Sequence, residues 1–164
     1  MLAIANLTKK KICRRSLKNL AEAFLKKHKI RDAEISLVLI GDRRSRTLNK
    51  KYRQKDYATD VLSFSNPNFK LGRDNFLGEI FINLNEVSRL KKYQAMFLEL
   101  EEIDGLRTGG KVKLQKTSQS AQEKYLLHFI FIHGLLHLIG FDDEQEADRL
   151  KMLNLGAKFL KCYN

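Results

Sequence analysis

The stretch that most restricts what this chain can become is residues 126–143, LLHFIFIHGLLHLIGFDD. It is apolar almost throughout, so as a helix it belongs in a core rather than on a surface. His133 and His137 lie at i and i+4, which puts both imidazoles on one helix face a single turn apart. Gly140 follows three residues after the second histidine, where a residue free of the positive-φ penalty lets a helix stop and the chain turn back. Asp142 and Asp143 come next. The spacing His-x3-His-x2-Gly-x2-Asp is that of a catalytic metal site, with two nitrogens fixed by helical pitch and a third donor delivered by a turn. The competing role for either aspartate is to cap the next helix and complement its dipole. His128 lies five residues before His133, about 140° away around the helix, and is expected to be a core histidine.

Around this segment the hydrophobic patterning predicts an α+β fold in a single domain. A small mixed sheet of three to four strands packs with about four to five helices, and the histidine helix lies at the centre. Leu2–Ala5 is expected as a short edge strand. A helix is expected from an N-cap at Thr8 to His28, with Cys13, Leu17, Leu20 and Phe24 inward. Glu34–Ile40 reads as a strand, and Asp42 as the cap of a short basic helix from Arg43 to about Lys51 with Leu48 inward. Val61–Phe64 and Phe76–Asn83 read as strands, Gly78 allowing close backbone approach. A helix is expected from Asn85 to about Glu102, and another from Glu144 to Leu160. Residues 104–122 are polar, carry three glycines and several cations, and read as a flexible insertion.

Charge narrows the choice of partner. Thirty-one Lys and Arg stand against 19 Asp and Glu, a formal charge of +12 over 164 residues. An excess of this size points to a polyanion, nucleic acid before membrane, since no basic helix carries a bulky exposed apolar face. The two cysteines, Cys13 and Cys162, have no CxxC spacing, so neither a zinc ribbon nor a disulfide framework is indicated. The first residues have too few apolar positions for a signal peptide, and the histidine helix is too short and too rich in His and Gly to span a bilayer. A reducing cytoplasm is the expected location.

A site of two imidazoles and one carboxylate can polarise a carbonyl or phosphoryl oxygen and acidify water. Its spacing is close to that of zinc proteases of the HExxHxxGxxH type, but Gly134 stands where their catalytic glutamate would be. Peptide hydrolysis is therefore disfavoured. Phosphodiester chemistry remains, because RNA supplies its own 2′-hydroxyl and the substrate suits the charge.

HGLLHLIGFDD (133–143) resembles the signature of the bacterial YbeY family of single-strand-specific, metal-dependent endoribonucleases acting in ribosomal RNA maturation. LNKKYRQKDYATDVLSF (48–64) and LGEIFI (77–82) match two further stretches typical of that family, in the same order. The resemblance covers the chain from about Leu39 onward. It implies one zinc ion per chain at His133 and His137, with Asp143 in the position of the family's third histidine. It also implies that Arg53 is a functional arginine beside the metal, where a guanidinium can contact a phosphate bidentately. Its implied partners are single-stranded RNA and ribosomal RNA precursors, with the small ribosomal subunit as docking platform. The chain departs from the family in Asp143, a competent ligand that lowers the Lewis acidity of the cation, and in the length of the 104–122 segment. The alternative from another class is a non-catalytic RNA-binding factor of ribosome assembly, with a structural metal or none.

Overall fold

The computed structural model describes residues 1–70, 72–93 and 118–163. Four strands, β1 (Leu2–Asn6), β2 (Glu34–Ile40), β3 (Val61–Ser65) and β4 (Phe76–Asn83), form one sheet in the order β1-β2-β4-β3. β1 and β2 are parallel, as are β2 and β4, whereas β3 runs antiparallel to β4 along one edge. Helices α1 (Arg14–Lys27), α2 (Asp42–Arg53), α3 (Pro67–Lys70), α4 (Leu84–Val87), α5 (Gln119–Leu138) and α6 (Glu146–Tyr163) complete the described elements. The fold is α+β with a mixed sheet.

Strand alternation decides which face of the sheet is covered. Ile35, Leu37 and Leu39 of β2 and Ile80 and Ile82 of β4 are buried in the main core with residues of α1, α5 and α6, and Leu77 joins them at the register shift between β2 and β4. Their neighbours Ser36 and Glu79 point to the opposite face, where the serine hydroxyl donates to the glutamate at 2.8 Å. Glu79 therefore does not reach the histidine helix. α5 is apolar on all sides because it is enclosed on nearly all sides, as expected of a helix with little amphipathic character; eleven of its residues from Leu126 to Leu138 are buried.

Several boundaries differ from the sequence expectation, each for a local reason. Thr8 does not cap α1. It accepts from the Lys10 amide and donates to Asn6, closing a polar turn, and α1 starts six residues later at Arg14 with Cys13 as an exposed cap. Asp42 is the first residue of α2 rather than its cap, and its carboxylate accepts from Asn83, Asn85 and Arg89. α2 runs on to Arg53, and its buried residues are Ser45 and Asn49, with Leu48 only half-buried. These polar residues fasten the helix to the following loop: Ser45 exchanges hydrogen bonds with the Thr59 backbone, and Asn49 donates to the Tyr57 carbonyl at 2.9 Å. The helix expected from Asn85 is interrupted after Val87, and its part beyond Tyr93 lies outside the described residues. Of the expected 104–122 insertion, 104–117 also lies outside them, whereas Gln119–Gln122 form the first turn of α5 behind the cap Ser118. The last helix begins at Glu146, not Glu144.

Candidate metal centre

The end of α5 is built as a Schellman turn. Gly140 takes φ 102°. Its amide donates to the His137 carbonyl at 3.0 Å, and the Phe141 amide donates to the Leu136 carbonyl at 3.1 Å. An L side chain at position 140 would be strained, so the glycine is required by the turn. The reversal carries the Phe141 carbonyl back over the helix, 3.0 Å from His137 Nδ1. A carbonyl only accepts, so Nδ1 carries the proton and the lone pair of the neutral ring lies on Nε2. This arrangement of a histidine held through its second nitrogen is the usual support for a metal ligand.

The same turn delivers Asp143. His133 Nε2 and His137 Nε2 are 3.2 Å apart, and Asp143 Oδ2 is 3.3 Å from the first and 3.7 Å from the second. A tetrahedral ion with ligand bonds of about 2.0–2.1 Å sets its donors roughly 3.3–3.4 Å apart. Three converging donors at close to that spacing, all partly buried, fit a zinc-like ion with a position left open. Among the described residues, these three form the one cluster of His, Cys, Asp and Glu able to share an ion. Asp143 is not a helix cap, because α6 starts three residues later and its carboxylate is turned toward the histidines.

The electrostatics agree with this picture. Burial lowers the His137 pKa, helped by the charge of His133. The hydrogen bond from His133 holds the Asp143 carboxyl below its ordinary value, and Arg53 acts in the same direction. His137 and Asp143 are thus biased toward the states that bind cations. His133 Nδ1 and Ser63 Oγ are buried and have no hydrogen-bond partner among the described residues. His128 belongs elsewhere: it is buried, paired with Ser16 Oγ at 2.9 Å, and its pKa is pushed down to about 4 by burial.

The donors line a cleft of about 500 Å³ along the β3 edge of the sheet, and Arg53 lines it too. Arg53 is the last residue of α2, exposed, with no hydrogen-bond or ion-pair partner among the described residues. Gln54, in the left-handed conformation at φ 58°, ends the helix behind it. Tyr52 and Arg149 also line the cleft. Neither is marked in the sequence: a tyrosine in a basic run and an arginine near a helix start carry no spacing signal of their own.

Gly134 explains the missing protease glutamate. A Cβ built there would lie 2.9 Å from Ile80 Cγ2 and 3.1 Å from Ser63 Oγ. The position after the first histidine is pressed against the sheet, so it has no room for an acid and does not face the donors.

Fold and donor set together define a class: an α+β protein whose central helix and the turn after it present a His-His-Asp candidate metal centre in a cleft. The chain belongs to the YbeY family, whose model, described as Endoribonuclease YbeY, matches residues 3–103 and 109–164. It is 37% identical over 90% of its length to the Endoribonuclease YbeY of Anaeromyxobacter dehalogenans, of which it spans 63%. With the protein of the same name from Heliobacterium modesticaldum it shares 32% identity over 88% of its length and 80% of the relative. The solution structure of TM1509 from Thermotoga maritima has a similar fold, with a TM-score of 0.50 at 24% identity, covering 98% of this chain and 87% of that one.

Proposed function

We propose that the chain is a zinc-dependent endoribonuclease that cuts single-stranded RNA in the cytoplasm, acting in ribosomal RNA maturation and ribosome quality control and docking on small-subunit precursors. The observation that carries this reading is the convergence of His133 Nε2, His137 Nε2 and Asp143 Oδ2 in a cleft shared with the unpaired Arg53. The endoribonuclease name its YbeY relatives carry supports it, and a formal charge of +12 suits a polyphosphate substrate.

His133, His137 and Asp143 would hold the ion. Zinc, when bound, supplies Lewis-acid polarisation of a phosphoryl oxygen and lowers the pKa of water. The chain's own residues do the rest. The Phe141 carbonyl fixes the His137 tautomer, so the donor does not have to reorient. Arg53 grips the scissile phosphate through parallel N–H bonds and offsets charge as it builds in the transition state. Phe129, Ile130 and Leu153 contribute apolar wall to the cleft, which keeps bulk water from screening those contacts. Gly134 offers no general base, so the attacking oxygen comes from water or from the 2′-hydroxyl of the RNA.

The test is cleavage of an end-labelled single-stranded RNA and its duplex by the full chain, with chelator and with zinc restored. Single strands should be cut, the duplex spared, and chelation should stop the reaction reversibly. Binding of RNA without cleavage after zinc loading would reject the enzyme in favour of the non-catalytic assembly factor.

A further inference from the structure

We infer that Tyr52 is a stacking platform for an unpaired nucleobase, so that the cleft takes one splayed-out base of single-stranded RNA next to the phosphate held by Arg53. This rests on the RNA reading given above and adds a base subsite to it.

Tyr52 is 54% exposed, an uncommon state for so large a ring. The other large hydrophobic side chains this exposed among the described residues are Met1, Leu7 and Tyr57, and none of these lines the cleft. Its ring is nevertheless held in place. Tyr52 packs edge-to-face on Phe64, with centroids 4.9 Å apart at 63°, and Phe64 packs on Phe81 at 5.9 Å and 80°. Phe64 and Phe81 lie on β3 and β4, so this aromatic ladder anchors an exposed ring to the rigid sheet. A preorganised ring loses little conformational entropy when a flat ligand settles on it.

The surroundings identify the ligand. Lys51 Nζ lies 5.0 Å from the Tyr52 ring centroid, and Arg53 is the next residue in the chain. An exposed ring with a lysine ammonium beside it, in the cleft that Arg53 and the donor triangle also line, matches the backbone-tracking charge and base-stacking ring of single-strand binding sites. The faces of a paired base are already occupied by its neighbours in a duplex. Only an unstacked base can use Tyr52, and this gives a physical source for a preference for single strands.

A second role for the ring is simply to cover Phe64, and the choice of substitutions separates the two. Tyr52→Leu keeps an apolar cover but removes the π face, while Tyr52→Phe keeps both. Each full-length variant is bound, in chelator so that no cleavage intervenes, to single-stranded RNA oligonucleotides carrying 2-aminopurine at successive positions. Melting temperatures confirm folding. Wild type and Tyr52→Phe should quench the probe at one position and bind within about twofold of each other, whereas Tyr52→Leu should lose that quenching and bind about 5- to 150-fold more weakly. Equal affinity and equal quenching for Tyr52→Leu and wild type would overturn the base subsite while leaving RNA as substrate. Failure of wild type to bind the oligonucleotides at low salt would instead remove the RNA reading, and the subsite with it.

Discussion

Replacing Gly134 tests whether the position after the first histidine is closed to a catalytic acid. An alanine there would gain roughly 1 kcal/mol of helix propensity. Against this, its Cβ would meet Ile80 Cγ2 at 2.9 Å and Ser63 Oγ at 3.1 Å, well inside the optimum carbon separation of about 3.5–4.0 Å. Ile80 is fully buried and cannot swing into solvent. Overpacking of this kind costs about 1–3 kcal/mol, so Gly134→Ala should lose on the order of 1 kcal/mol net, a few degrees in Tm for a chain of this size. Gly134→Glu adds a carboxylate to a position where the Cβ alone already meets Ile80 and Ser63. A buried, inadequately paired charge brings the loss to at least about 3 kcal/mol, or moves α5 off the sheet. The assay is urea unfolding of the metal-free protein, which keeps ion binding out of the comparison. Gly134→Glu within 1 kcal/mol of wild type would refute the close-packing argument and reopen the position to a catalytic acid.

Two further outcomes follow from the site and its surroundings. Arg53→Ala should lower RNA cleavage by about a hundredfold or more while leaving zinc content unchanged and stability within about 0.5 kcal/mol, because the side chain is exposed; single-turnover rates and metal analysis check this, and wild-type cleavage would reject the phosphate clamp. The His128 pKa is lowered in the fold to about 4, so below the unfolded value of roughly 6.5 the unfolded chain binds the extra proton, and His128 should remove up to about 3 kcal/mol of stability as pH falls from about 6.5 through 4; the pH slope of urea stability should be flatter in His128→Gln by that amount, and an unchanged slope would show that His128 does not titrate with folding.

How far these features can be read in the sequence depends on the type of signal. β2 and β4 fall at the expected residues, Glu34–Ile40 and Phe76–Asn83, because a buried strand must carry a run of β-branched and aromatic side chains between turn residues. The histidine pair and its turn are legible because helical pitch and a glycine reversal set local geometry, whereas spacing leaves capping open to either aspartate and the fold brings Asp143 Oδ2 to the imidazoles. Elements held by polar contacts were less legible. α2 buries Ser45 and Asn49, which hydropathy counts as surface residues, and only the loop at 57–59 supplies their partners. The start of α1 is hard to read because Asn6 and Thr8 can satisfy backbone groups in a turn as readily as at a helix cap. Tyr52 is not legible in the sequence because its place in the cleft depends on Phe64 and Phe81, which are distant from it along the chain.

In the proposed function, His133, His137 and Asp143 together hold the ion on which RNA cleavage depends. The most direct measurement is a zinc titration of the metal-stripped chain, following ion binding and single-stranded RNA cleavage together, for wild type, Asp143→Asn and Asp143→His. Wild-type cleavage should rise to a plateau at one zinc per chain. Asp143→Asn, neutral and a poorer donor, should need at least about tenfold more zinc, whereas Asp143→His, with a third imidazole, should bind zinc as tightly as wild type or more so. Cleavage that persists in chelator, or an Asp143→Asn curve that overlays the wild type, would contradict this role of the three donors.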